Sequence, residues 1–339
     1  REAAYRSPHI VEIHAAVENM APLYEWCNAV VSNAGSTCWE WLRYDLPAAI
    51  AITADNQQFI AKELIKNQRA IDLGHGISLE KKALLYQLGK LLDSCEREIS
   101  QEQRKYIDGY GASRVCAALD MPLSITILTD ESSWFNAYTQ SLTTSIEEMG
   151  HDVRLTSNKC EIESGDILFL LSVWEVVPEQ LLALNAHNLI VHESDLPKGR
   201  GWSPVSWQIL NGAEEIPLCL IEAEKRVDAG VVYIRSTFNL EGTELIEDIR
   251  ELQANATIKL CLAFMQDFPH ILREANPQTG EATYYKRRRP ECSGIDPTTA
   301  IADCFDLFRI ADNEKYPVFF EYRGKKYKLA ITHMRGTNE

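Results

Sequence analysis

Helical and strand periodicities alternate along most of this chain, broken by Pro and Gly. Up to about Leu119, residues 29–32 and 48–52 predict short strands, residues 38–42 open a helix, and residues 56–65 continue as another. Residues 80–95 predict a third helix, with Leu84, Leu85, Leu88, Leu91 and Leu92 at helical spacing. The pattern restarts at Met121-Pro122. Residues 124–128 read as a strand, and residues 135–149 as a helix closed by Gly150. Strands are predicted at 152–155, 167–171, 188–192 and 231–234, and helices at 179–185, from near Pro204, and from about Glu244 to Phe268. From about Glu274 the character changes: residues 282–288, 317–322 and 326–331 predict strands, with Arg323-Gly324-Lys325 as the turn between the last two. The expected fold class is α/β. It is a doubly wound parallel-sheet (Rossmann-like) lobe over 121–272 with a small β-rich C-terminal subdomain over 273–339, preceded by a second Rossmann-like lobe over 1–120.

Composition narrows the partners. The 339 residues are 45% hydrophobic and 24% charged, an ordinary globular balance, and 49 acidic residues against 34 basic give a formal net charge of −15. Such a surface repels phosphate backbones and argues against nucleic acid as the main partner; the basic run Lys286-Arg287-Arg288-Arg289 is too short to reverse that. The nine scattered cysteines form no C-x-x-C pair, which fits a reducing cytosol and argues against a metal site. No apolar run reaches membrane-spanning length, so no membrane partner is expected. The chain begins at Arg1 rather than Met, as a piece of a longer protein would. The sequence leaves the oligomeric state open.

The densest chemical signal is His192-Glu193-Ser194-Asp195-Leu196-Pro197-Lys198-Gly199-Arg200-Gly201, a strand ending in a histidine and running into a Pro- and Gly-rich loop. Ligands of open α/β sheets bind at the carboxyl ends of strands, where His192 falls. A second signal, Val227-Asp228-Ala229-Gly230, lies 36 positions on from His192 and precedes a strand.

The stretch from His192 to Gly230 resembles the formyltransferase family that uses 10-formyltetrahydrofolate. That family carries H-x-S-x-L-P-x-x-x-G and, about three dozen residues later, D-x-G. His192, Ser194, Leu196, Pro197 and Gly201 match the first motif, and Asp228 and Gly230 the second. Residues 288–296 resemble the R-x-P-x-D-S-x-I-D stretch of sugar N-formyltransferases, with Cys292 in place of the first Asp. The resemblance covers about residues 122–331. It implies formyl transfer to an amine, with His192 and Asp228 catalytic, Ser194, Lys198, Arg200, Gly201 and Trp202 holding substrate, and 10-formyltetrahydrofolate as cofactor. The pterin would lie between residues 171–178 (Leu171, Ser172, Val173, Trp174, Val177) and residues 225–228 (Arg226, Val227), although Val173, Trp174 and Val177 equally suit an ordinary core. The family's Asn two residues before the His is here Ile190. Asn188 shares that strand face and is either a substitute donor, lifted by a bulge or shifted register, or a plain strand-start residue. A backbone N–H in the 192–196 turn is the other candidate donor.

In the first segment, Gly35-Ser36-Thr37 before Glu40, with Asn56-Gln57 further on, resembles the C-terminal half of the UDP-sugar hydrolase of pseudaminic acid biosynthesis over about residues 10–118. The resemblance implies contacts from Gly35, Ser36, Thr37, Glu40, Asn56 and Gln57 to a nucleotide and its sugar. It also points to a UDP-linked 4-amino-4,6-dideoxy sugar as the formyl acceptor. Formylation of charged initiator tRNA, which the net charge opposes, and non-catalytic binding of a sugar nucleotide are the alternatives.

Overall fold

The structure is a computed structural model that describes residues 10–76, 80–94, 107–119 and 121–334. The chain divides into two compact units, the first ending at residue 111.

The first unit runs α1 (Ala21–Trp26), β1 (Val30–Asn33), α2 (Cys38–Arg43), β2 (Ala48–Ile52), α3 (Gln58–Lys66), β3 (Ile71–His75) and α4 (Lys81–Ser94). The strands form a parallel sheet in the order β1-β2-β3. Alternation along β2 sends Ala48 and Ile50 to one face, where they pack with Trp41, Cys38, Ala61 and Leu64. Ala49 goes to the other face and meets Leu73 and Leu91. Both faces are therefore covered by helices, as a parallel sheet requires. The predicted helix over 80–95 is α4, whose last predicted residue, Cys95, lies outside the described residues. β3 is short and interrupted by Gly74, and periodicity missed it.

Helix α5 (Gly111–Ala118) leads to the second unit. There follow β4 (Ser124–Leu128), α6 (Thr139–Glu148), β5 (Asp152–Thr156), β6 (Gly165–Leu170), α7 (Glu179–Leu182), β7 (Asn185–His192), β8 (Arg200–Gly201), α8 (Pro204–Leu210), β9 (Glu215–Glu222), β10 (Val232–Asn239) and α9 (Ile246–Asp267). The six-stranded sheet has the order β10-β9-β7-β6-β4-β5. Its doubly wound parallel part comprises β5, β4, β6 and β7. To this are added β9, antiparallel to β7, and β10, antiparallel to β9. Strand β9 was missed although Ile216 and residues 218–221 form a buried apolar run, because Pro217 interrupts it. Pro217 lies outside the β7 ladder, which pairs only residues 219–222, so its missing N–H removes no bond there. The helix expected from residue 135 starts as a 3₁₀ turn, Trp134–Ala137, and α7 is shorter than expected because Asn185 already begins β7.

The C-terminal segment carries β11 (Tyr284–Tyr285), β12 (Gly294–Ile295), α10 (Phe305–Arg309), β13 (Val318–Tyr322) and β14 (Lys325–Leu329). β13 and β14 form the predicted hairpin: Arg323 and Gly324 both have positive φ (50° and 76°), the backbone that a tight two-residue hairpin loop demands. The strand expected over 282–288 shrinks to β11. It runs parallel to β8 and brings the C-terminal segment against the loop that follows His192.

Candidate active site

β7 ends at His192, and the loop to α8 folds back beside it. His192 Nε2 lies 2.9 Å from Gly199 O. A carbonyl only accepts, so Nε2 carries the hydrogen. Nδ1 faces Asp228 Oδ1 at 3.7 Å, too long for a hydrogen bond, and both side chains are buried. The other carboxylate oxygen, Asp228 Oδ2, accepts from Gly201 N at 2.8 Å. Asp228 adopts φ +54°, a left-handed conformation that Asp tolerates and that turns its carboxylate back toward β7. Gly230 has no alternative here: a Cβ would sit 1.8 Å from Glu222 O. Gly201 is similarly fixed by φ +101° and by Tyr285 O, 2.6 Å from where its Cβ would lie.

The loop's internal bonds consume most of its donors. Ser194 N donates to His192 O and Leu196 N to Ser194 O, both at 3.0 Å, and Gly199 N donates to Thr283 Oγ1 at 2.8 Å. Ser194 Oγ is buried and has no hydrogen-bond partner among the described residues. The sequence-based candidates Ser194, Lys198, Arg200, Gly201 and Trp202 therefore do share one loop with His192. Lys198 is exposed, whereas Arg200 is buried under the C-terminal segment and its Nη2 donates to Gln278 Oε1 at 2.5 Å.

The structure does not bring Asn188 to His192. The β6–β7 and β7–β9 ladders run without a bulge or register shift through residues 188–192. Four residues of regular strand separate the two side chains by about 13 Å. Asn188 Nδ2 is occupied by Leu182 O at 3.1 Å. Ile190 packs with Leu196, Cys219, Ile221 and Val232.

Loop 171–178 leaves the carboxyl end of β6, next to β4, where the chain order of the strands reverses direction. Leu171 and Val177 are buried, and Val173 packs against the Val177 cluster, so these three serve the core. Ser172 takes φ +55°, and Trp174 is 41% exposed with its backbone N held by Asp130 Oδ2. The flat apolar surface at this loop is the Trp174 indole, 6.4 Å centroid to centroid from Trp202, with the Arg287 guanidinium against both rings. Arg226 and Val227 are exposed on the opposite loop.

Three residues of this site carry no signal that sequence reading caught. Gln278 Nε2 donates to Asp228 O and Gly230 O, each at 2.9 Å, and its Oε1 accepts from Arg200, which ties together the loops that hold Asp228. Tyr284 OH bonds Arg226 Nη2 at 3.0 Å and Arg200 Nη1 at 3.4 Å. Glu193, adjacent to His192 but alternating to the other sheet face, accepts from Gln253 of α9 at 2.6 Å. Burial pushes the Glu193 carboxyl up from the usual range, with His192 and Gln253 pulling it back.

The first unit uses several of its candidates internally. Helix α2 is only six residues long, and the N–H groups of Cys38, Trp39 and Glu40 bond to Gly35 O, Ser36 O and Thr37 O. Glu40 accepts from Tyr24, whose hydroxyl is pushed up to about 12 by burial and by Glu40. Gln57 Oε1 accepts from Thr53 N and Thr53 Oγ1, while Ser36, Thr37 and Asn56 are exposed. Among the described residues no His/Cys/Asp/Glu group is arranged to hold a metal ion, and no helix is long and apolar enough to cross a membrane.

No protein-family model matches the chain. It is 23% identical over 169 residues to a methionyl-tRNA formyltransferase of Rickettsia rickettsii (strain Iowa), covering 49% of this chain and 54% of the relative. The chain thus spans about half the length of that curated relative. Among solved structures, it is similar to the methionyl-tRNA formyltransferase from Clostridium thermocellum (TM-score 0.54, 22% identity, 63% of this chain and 94% of that one). It is also similar to HypX from Aquifex aeolicus in complex with tetrahydrofolic acid (TM-score 0.53, 20% identity, 62% of this chain and 37% of that one). These likenesses show that the chain shares the α/β fold of formyltransferases.

Proposed function

We propose that the second unit is an N-formyltransferase that moves the formyl group of 10-formyltetrahydrofolate onto the amine of a small nucleotide-linked amino sugar. The observation that carries this reading is the buried His192–Asp228 pair at the carboxyl end of β7. The 3.7 Å between Nδ1 and Oδ1 is too long for them to bond each other, yet an amine nitrogen seated beside them reaches both. Asp228, fixed by Gly201 N, orients that amine and stabilises a protonated imidazole; His192 takes the proton the nitrogen sheds as it becomes an amide.

The cofactor supplies the activated one-carbon unit when bound. The residues present suit it: the exposed Trp174 indole offers a flat wall for a heterocycle, and the left-handed turn at Ser172 begins the loop that carries it. Ser172, Trp174 and Val227 would hold it, with Leu171, Val173 and Val177 supporting the loop from beneath, while Arg226, expected from the sequence to hold it too, turns instead to the Tyr284 hydroxyl. Ser194, Lys198 and Trp202 would face the substrate. Because the first segment resembles half of a UDP-sugar hydrolase, a UDP-linked 4-amino-4,6-dideoxy sugar is the acceptor of choice. Its candidate contacts Gly35, Ser36, Thr37, Glu40, Asn56 and Gln57 then serve at most as a weak nucleotide-docking surface, since Glu40 and Gln57 are already occupied.

The test is to incubate the chain with 10-formyltetrahydrofolate and a panel of UDP- and TDP-linked amino sugars, following the gain of one formyl group by mass spectrometry. Methionyl-tRNA belongs in the same panel, because the curated relative is named for that substrate; the net charge of −15 opposes it. A chain that formylates only methionyl-tRNA overturns the sugar assignment, and one that formylates nothing and binds no folate overturns the whole reading.

A further inference from the structure

Several arginines of the second unit are neutralised by carboxylates. Arg235 pairs with Asp195, Arg250 with Asp312, Arg309 with Glu244 and Asp306, and Arg154 with Glu163. Acidic residues outnumber basic ones 49 to 34, so carboxylates are not scarce. Yet beside the His192–Asp228 pair, Arg200, Arg226 and Arg287 have no carboxylate partner among the described residues. Arg200 bonds Gln278 and Tyr284, Arg226 bonds Tyr284, and Arg287 lies against Trp202 (4.8 Å to the ring centroid) and Trp174 (5.8 Å). Arg226 and Arg287 are both exposed.

These three belong to the segments that build the site. Arg226 lies two residues before Asp228, Arg200 precedes the Gly201 that holds the Asp228 carboxylate, and Arg287 follows β11, the strand paired with Arg200 and Gly201. The Tyr284 hydroxyl sits between Arg200 and Arg226. It supplies a lone pair but no full charge, so it leaves the repulsion between the two guanidinium groups largely uncompensated.

We propose that Arg226, Arg287 and Tyr284, backed by Arg200, form a phosphate-binding rim that takes the diphosphate of the nucleotide-linked substrate while its amine reaches His192 and Asp228. This rests on the reading of the site given above and deepens it. The guanidinium fork matches phosphate oxygens two at a time, and an anion seated here relieves the repulsion that Tyr284 alone does not. The same hydrogen bonds from Arg200 and Arg226 hold the Tyr284 hydroxyl below the usual phenol range, the mark of a positive field at this spot. A dianion also occurs as the glutamate tail of folate. The diphosphate is favoured because the rim adjoins Gly201 and Trp202 of the His192 loop as well as residue 226, and spans from one to the other.

The experiment is isothermal titration of UDP, uridine and tetrahydrofolate into the full chain and into Arg226→Gln and Arg287→Gln, with thermal melts as a folding control. UDP is expected to bind the unchanged chain and to loosen roughly tenfold or more in each variant, the usual scale for losing one charged hydrogen bond. Uridine should bind all three chains alike, and tetrahydrofolate should be unaffected. The proposal is overturned if both variants keep the original UDP affinity, if the loss falls on tetrahydrofolate, or if the unchanged chain binds tetrahydrofolate but no UDP. Absence of tetrahydrofolate binding instead sinks the formyl-transfer reading, so the two failures are distinguishable.

Discussion

Gln278 is the residue on which the geometry of Asp228 most depends, and its loss should be measurable twice over. Its amide donates to Asp228 O and Gly230 O, and its carbonyl accepts from Arg200 Nε and Nη2. Gln278→Ala removes all four contacts. A hydrogen bond to a charged partner contributes about 1.5–3 kcal/mol and a neutral one about 1 kcal/mol, and water at the rim returns part of this, so a net loss of about 3 kcal/mol is expected. In a domain of this size each kcal/mol moves the melting temperature by roughly 2–4 °C, which gives a fall of roughly 6–12 °C. The left-handed turn at Asp228 then loses its anchor. A displacement of about 1 Å in a catalytic group is enough for a loss on the order of 100-fold in kcat/KM. Urea unfolding followed by tryptophan fluorescence reads the first effect, and formyl transfer to an amino sugar reads the second. Gln278→Glu separates the two halves of the contact: it keeps and strengthens the bond to Arg200 but sets a carboxylate against two carbonyl oxygens. Activity should stay low in Gln278→Glu even where stability recovers. If Gln278→Ala melts within a degree of the original chain and turns over normally, the side chain holds nothing and the reasoning is refuted.

Other expectations follow from the same site. His192→Ala and Asp228→Ala should each slow turnover roughly 100-fold or more, the scale of general acid–base catalysis, while Asn188→Ala should leave kcat nearly intact; steady-state kinetics on the three variants decides. Ser194→Ala should lower kcat by roughly 10-fold or more if that hydroxyl donates to the developing negative charge, whereas an unchanged kcat assigns it to packing. Glu193 has a raised carboxyl, so its share of stability is full below the unfolded value near 4.3 and is lost as pH rises through the folded value. Glu193→Gln should accordingly be more stable than the original chain at pH 7 and lose that advantage near pH 4 in urea titrations. Tyr284 should form its phenolate below the ordinary value of about 10, seen by ultraviolet difference absorbance, and Arg226→Gln should move that titration upward; no change in the variant would deny the contact.

How far the sequence reached can be traced element by element. His192, Ser194, Gly201, Asp228 and Gly230 were legible because one contiguous strand–loop and one short turn carry them, and both positions fall at strand ends. The parallel core of β5, β4, β6 and β7 was legible from its alternation with helices. Strand β9 was obscured by Pro217, and the β8–β11 pairing joins two dipeptides that lie 84 positions apart, too short for any periodicity to register. Gln278 and Tyr284 sit in that distant segment, and nothing local in their surroundings marks them. Asn188 reads from the sequence either as a substitute donor lifted by a bulge or shifted register or as a plain strand-start residue; the regular ladders of β7 show no such bulge or shift.

The regular ladder also explains how Ile190 fits the site. On a strand without a bulge, residue 190 lies on the same face as His192, roughly 7 Å away. It is surrounded by Leu196, Cys219, Ile221 and Val232, so the position is apolar and an amide there would lack partners. The polar duties near His192 therefore fall on the loop that follows it. In that loop Ser194 N, Leu196 N, Gly199 N and Gly201 N are already committed, to His192 O, Ser194 O, Thr283 Oγ1 and Asp228 Oδ2. In the same turn the buried Ser194 hydroxyl has no partner among the described residues, and it is a group that rotates to donate where a fixed amide is not available. Under the proposed function, a site built this way replaces an amide fixed on the strand with a rotatable donor in the loop. The His192–Asp228 pair, the proton-handling groups of that proposal, is positioned from the other side, by Gly201, Gly230 and Gln278.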